Sequence, residues 1–197
     1  LLAVETYNRP SANFRSGAYI VLMVIAWTSL FHAIFLRRRT KPFYRKKNSR
    51  RYEKIEGEPK RWELKECLQQ YFKGDNPAVR MNLELFFRLR NKLEHCSLAQ
   101  LDPEIFGECQ AILLNFESLL ISEFGERYAI RGGLTFALQF SKAVPKSQSQ
   151  AAKSQQRMFK AVKHYVDTFR SSLSTEVQSD LAYSFKVYLV PKIGSHI

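Results

Sequence analysis

Ala18-Tyr19-Ile20-Val21-Leu22-Met23-Val24-Ile25-Ala26-Trp27 is apolar on every face of a helix, and what surrounds it decides the fold. The run opens at Gly17, reaches Leu36 and is closed by Arg37-Arg38-Arg39, the outline of a membrane-crossing helix with positive flanking charge. Thr28, Ser29 and His32 interrupt its second half, which leaves about ten fully apolar residues where a bilayer asks for ~20. The sequence has no second such run, and other segments are apolar enough to surround this one. The stretch is therefore read as the central buried helix of a bundle, with no membrane partner. His32 then reads as a satisfied core histidine.

Upstream, Leu1-Leu2-Ala3-Val4 makes a short apolar start, and Tyr7-Asn8-Arg9-Pro10 is expected to break any helix. Downstream the character changes. Between 37 and 61, Arg37, Arg38, Arg39, Lys41, Arg45, Lys46, Lys47, Arg50, Arg51, Lys54, Lys60 and Arg61 face only Glu53, Glu56 and Glu58. Phe43, Tyr44 and Tyr52 are interleaved, the composition of a surface that tracks an RNA backbone and stacks on bases. The residues expected to touch RNA are Arg37, Arg38, Arg39, Lys41, Arg45, Lys46, Lys47, Arg50 and Arg51. Phe43–Lys46 and Arg51–Ile55, either side of Lys47-Asn48-Ser49, are expected to pair as a hairpin.

Three further helices follow from period and punctuation. Trp62, Leu64, Leu68, Tyr71 and Phe72 form one apolar face, stopped by Gly74. Asn76-Pro77 is a cap followed by proline, and the helix it starts buries Val79, Leu83, Phe86 and Leu93. Asp102-Pro103 reads as another such start, ahead of the stripe Ile105, Phe106, Cys109, Ile112, Leu113, Phe116, Leu119, Leu120 and Phe124, ended by Gly125. The fold class is mainly α: a four- to five-helix bundle over residues 1–130, with the basic hairpin insertion at 37–61. Residues 131–197 read as a small α/β appendage or the start of a second domain. Leu134–Phe140 and Phe185–Leu189 alternate like strands, 141–156 are linker-like or a loosely capped helix start, and Phe159, Val162, Val166, Phe169 and Leu173 mark a helix. The unfinished strand pattern before Ile197 is that of a piece of a longer protein.

The chain of 197 residues carries a formal charge of +13, which implies an anionic partner, nucleic acid or an acidic surface. Three cysteines (Cys67, Cys96, Cys109) without a C-x-x-C pair argue against a zinc ribbon or disulfide framework and fit a reducing cytoplasm. The four histidines (His32, His95, His164, His196) are scattered and form no metal-ligand spacing, so neither a metal nor a cofactor is expected.

At the end of the third helix stands Arg90-Asn91-Lys92-Leu93-Glu94-His95. Arginine clamps a phosphate through two parallel hydrogen bonds, and histidine moves a proton near neutral pH. The alternative is an i,i+4 ion pair of Arg90 with Glu94, worth a few tenths of a kcal/mol. Five positions of an ideal helix rotate ~500°, so Arg90 and His95 stand about 140° apart and meet only if the helix ends or bends around Glu94–Cys96. Asn91 shares a face with His95.

This arginine–polar–histidine pattern in an α-bundle resembles the HEPN (higher eukaryotes and prokaryotes nucleotide-binding) superfamily. Ala3-Val4-Glu5-Thr6-Tyr7-Asn8-Arg9-Pro10, Phe14-Arg15 and Ala26-Trp27-Thr28-Ser29-Leu30-Phe31-His32-Ala33 further resemble a bacterial branch of it catalogued as a domain of unknown function. The resemblance implies a metal-independent endoribonuclease, a toxin or anti-phage effector, working as a homodimer with a composite cleft. Arg90 would hold the scissile phosphate, His95 would act on the 2′-hydroxyl or the leaving 5′-oxygen, and Asn91 would orient them. The competing expectation is a non-catalytic RNA-binding or dimerisation module that serves a missing effector domain. A membrane-attached protein using 18–36 is the third.

Overall fold

The apolar run becomes helix α2, Arg15–Arg37, in a computed structural model that describes residues 1–9, 15–93, 101–130 and 150–185. Tyr19, Ile20, Trp27, Phe31 and Ile34 on its inner side are fully out of solvent. They pack against α1 (Leu2–Asn8), α3 (Leu64–Phe72), α4 (Ala78–Leu93) and α5 (Phe106–Phe124). By length and composition α2 would also suit a membrane crossing. Half of its most apolar window is buried by these neighbours, while Ile25 and Leu36 on the outer side are exposed. Its polar groups are satisfied at short range: Thr28 Oγ1 donates to Val24 O at 2.7 Å, and His32 Nε2 lies 2.7 Å from Trp62 O.

The mainly α bundle expected from sequence is what forms, with seven helices and a two-stranded antiparallel sheet among the described residues. Residues 2–8 are helical, and the helix ends within Tyr7-Asn8-Arg9-Pro10 as the sequence predicts, at Arg9, the extended residue before Pro10. Two local expectations are corrected. Asp102 does not cap its own helix, which begins at Phe106. Its carboxylate accepts from Ser16 N at 2.9 Å, Ser16 Oγ at 2.6 Å and Arg15 N at 3.1 Å, so it caps α2 from across the bundle. The second correction is the insertion. Arg45 does bridge to Tyr52 around a turn at 47–49, but Lys54–Ile55 (β1) turn away and pair with Glu58–Pro59 (β2). Glu56 (φ 50°) and Gly57 (φ 90°) make that two-residue turn, where both central residues need positive φ.

The result is a small closed clasp. Tyr44 N donates to Lys60 O at 3.0 Å, Lys60 N to Glu53 O at 2.8 Å, and Glu53 N back to Tyr44 O at 2.9 Å. Phe43 also bridges to Arg61, which returns the chain to α3 beside its point of departure.

Helices α6 (Gln150–Ser171) and α7 (Thr175–Ser179) complete the described chain. Val162, Val166, Phe169, Leu173 and Tyr183 join the same core as α2 and α4. The expected strands at 134–140 and 186–189 lie outside the described residues. Phe185 is described, and its N–H donates to Gly107 O at 2.9 Å. That approach is close: a Cβ on Gly107 would come 2.5 Å from Ser184 Oγ and 3.1 Å from Phe185 O.

Candidate functional site

Two regions carry the residues singled out by sequence. The first is the last turn of α4. Phe86, Leu89 and Leu93 bury this end of the helix, and between them Arg90 is half-buried with its Nε out of solvent. Asn91 and Lys92 are exposed. Lys92 Nζ sits 4.4 Å from the Tyr165 ring centre and the Arg88 guanidinium 5.7 Å from that of Phe169, so α6 lines one flank of this turn with aromatic faces. Glu94 and His95, and with them the Arg90–Glu94 pair and the Arg90–His95 approach, lie outside the described residues.

The second region is the basic insertion, where the cations divide into two groups. Arg38 is committed to the fold: it pairs with Glu123 and lies 5.2 Å from the Tyr71 ring centre. Arg37 covers Phe124 at 5.4 Å, and Arg45 covers Tyr52 at 6.0 Å. Arg39, Lys41, Lys46, Lys47, Arg50 and Arg51 are exposed and form no ion pair among the described residues. Their charge is available to an anion.

The aromatics expected to meet bases are partly spent on the clasp. Phe43 and Tyr52 pack edge to face at 5.3 Å, Arg61 lies 5.7 Å from the Phe43 ring centre, and Lys60 lies 4.8 Å from that of Tyr44. Between the clasp and the end of α2 an open groove of about 590 Å³ remains, lined by Arg39, Thr40, Lys41, Phe43, Tyr44, Arg45, Tyr52, Trp62 and Glu66. A smaller one of about 360 Å³ lies between α3 and α4, but there Glu84 partly neutralises Arg80 and Arg88 at 3.5 and 3.4 Å. Trp62 was expected on the apolar face of α3, but that helix begins at Leu64 and leaves Trp62 before it, facing the groove; Glu66, within α3, carried no signal in the sequence that set it apart from a helix-surface acid.

His32 is held neutral. Burial lowers its pKa from the ordinary 6.5, Arg61 adds to that, and the hydrogen bond to Trp62 O opposes it. Burial pushes the Cys67 thiol up to about 12, with Glu66 adding to the shift. That thiol is no nucleophile. Among the described residues, no three His, Cys, Asp or Glu side chains stand close enough to share a metal ion.

Fold and site together define a helical bundle with a cationic, aromatic-lined insertion. The chain belongs to the family described as Domain of unknown function (DUF3644), whose profile matches residues 1–173. Searches of curated proteins and of solved structures found no match.

Proposed function

We propose that the chain is a metal-independent endoribonuclease of the HEPN type, from a bacterial branch of that superfamily. The observation that carries the proposal is Arg90, half-buried in the last turn of α4 and followed in sequence by Asn91 and His95. A guanidinium held this way is pre-ordered to receive a phosphate, since fewer rotamers are lost on binding. The unneutralised cations of the insertion supply the long-range attraction for a polyanion.

In the proposed reaction the substrate 2′-oxygen attacks the adjacent phosphorus while its proton passes to a base. The P–O5′ bond breaks and the 5′-oxygen leaves with a proton, giving a 2′,3′-cyclic phosphate and a 5′-hydroxyl. Arg90 neutralises the charge that develops on the phosphoryl oxygens. His95 carries one of the two proton transfers, and Asn91 orients the ring. A homodimer would bring two such motifs to one cleft. The biological setting that fits is a cytoplasmic toxin or anti-phage effector, with α2 serving as a core helix rather than a membrane span.

The test is cleavage of a mixed RNA pool in buffer containing EDTA. The wild type is expected to leave cyclic-phosphate ends, and His95→Ala to abolish turnover with the helical circular dichroism intact. Cleavage that survives the substitution, or that requires magnesium, refutes the mechanism. Tight, salt-sensitive RNA binding without turnover by the wild type would instead support a binding module.

A further inference from the structure

We propose that the groove between the clasp and the end of α2 holds one nucleotide of a single-stranded RNA, its base against Trp62 and its phosphate on Arg39 and Lys41. The inference rests on the RNA reading above but concerns a site separate in sequence from Arg90. A volume of about 590 Å³ falls within the range of small-ligand pockets, roughly 300–1,000 Å³.

Arg39 is the first argument. Helix α2 closes with Thr40 N donating to Phe35 O at 2.8 Å and Arg39 N to Leu36 O at 2.9 Å, the paired bonds that place the intervening residue in the left-handed region. Arg39 has φ 58°, at a position where glycine is the favoured residue. An arginine held there against its backbone preference, at the mouth of the groove and without an ion pair among the described residues, fits a binding role.

Trp62 is the second. Its N–H donates to Pro42 O at 2.9 Å, its carbonyl takes the His32 contact, and its ring meets Phe35 edge to face at 5.3 Å. The indole N–H has no acceptor among the described residues, and it is not among the buried polar atoms left without one. Trp62 is thus a fixed aromatic platform with a solvent-facing donor.

Glu66 sets a preference. It is the acid in the lining, and Gln70 donates to one of its oxygens at 2.8 Å. An ionised carboxylate only accepts hydrogen bonds, so it suits guanine, which offers N1–H and N2–H together, over uracil with its single N–H.

The experiment uses the full chain and a short 2′-O-methylated oligouridylate, which cannot be cleaved, with and without one central guanosine. Trp27 is fully buried, so emission that responds to the RNA reports Trp62. Binding is expected to quench that emission and to be several-fold tighter with guanosine. Arg39→Gly should weaken binding about fivefold and lower the slope of log affinity against log salt by about 0.7, with the melting temperature unchanged or raised. If the wild type binds RNA but neither Trp62 emission nor Arg39→Gly responds, the groove assignment fails and the RNA reading stands. If the wild type binds no RNA, both fail. GMP alone bound as tightly as the strand would overturn strand recognition, and equal affinity for both strands would overturn the base preference.

Discussion

At pH 7 the half-buried ring of His32 is neutral, and Nε2 is the nitrogen that must donate to Trp62 O. Its folded pKa lies below the unfolded value, so unfolding takes up a proton in the interval between the two. Stability is therefore full above about pH 6.5 and falls as the solution is acidified towards the folded pKa. His32→Gln keeps a donor for Trp62 O but removes the titration. The expected result is a melting temperature less sensitive to pH between about 6.5 and 5 than in the wild type, read by thermal circular dichroism. Buried polar residues were the least legible class from sequence, although a signal existed. Asn82 lies on the stripe of Ala78, Leu85, Phe86 and Leu89, and Glu108 sits three after Ile105 and four before Ile112. A polar residue on an apolar stripe needs a partner. Asn82 Nδ2 finds Tyr183 O at 2.7 Å and Glu108 O at 3.1 Å.

Between elements, α5 and α6 are joined by a buried ion pair. Arg170 Nη2 lies 2.7 Å from Glu108 Oε1, with Glu108 3% and Arg170 28% exposed, and Nη2 also donates to Glu104 O at 2.6 Å. Such a pair adds little over an apolar one but is costly to break from one side. Arg170→Met should cost roughly 3 kcal/mol in urea unfolding by stranding Glu108, and adding Glu108→Leu should recover much of it. If the single and double variants are equally destabilised, packing rather than charge is responsible. The helices themselves were legible: α2 as one unbroken apolar run, and α3 to α6 from a 3.6-residue apolar period that tertiary contacts only confirm. What failed was attribution across distance. Asp102 looks like a local cap but reaches an element 86 residues away in sequence, and Glu56-Gly57 holds a two-residue turn that the louder turn at 47–49 obscured. Charge counting found the insertion, but only geometry separated Arg38, spent on Glu123, from Arg39, which is not.

Across the whole molecule, the described residues after Leu173, 174–185, are structural partners of the bundle. The family match ends at residue 173, yet Tyr183 is 2% exposed, Asn115 Nδ2 donates to Ala182 O at 2.7 Å, and Phe185 docks on Gly107. Ending the chain after Leu173 strands the Asn115 amide, takes from Asn82 the shorter of its two bonds while Glu108 O remains, and uncovers the start of α5. With about 1–3 kcal/mol for each buried group left unsatisfied, the loss should be on the order of 3 kcal/mol, visible as a lower melting temperature. An unchanged melt would mean that these residues merely rest on the surface. The clasp of Tyr44, Glu53 and Lys60 acts at the same scale. Each of the three contributes both its N–H and its C=O to one ring, which leaves no edge at that level for another strand to join. Opening any one bond leaves the three residues still linked through the other two, so the most highly charged part of the chain is held as a latch and not as a loop that frays one bond at a time.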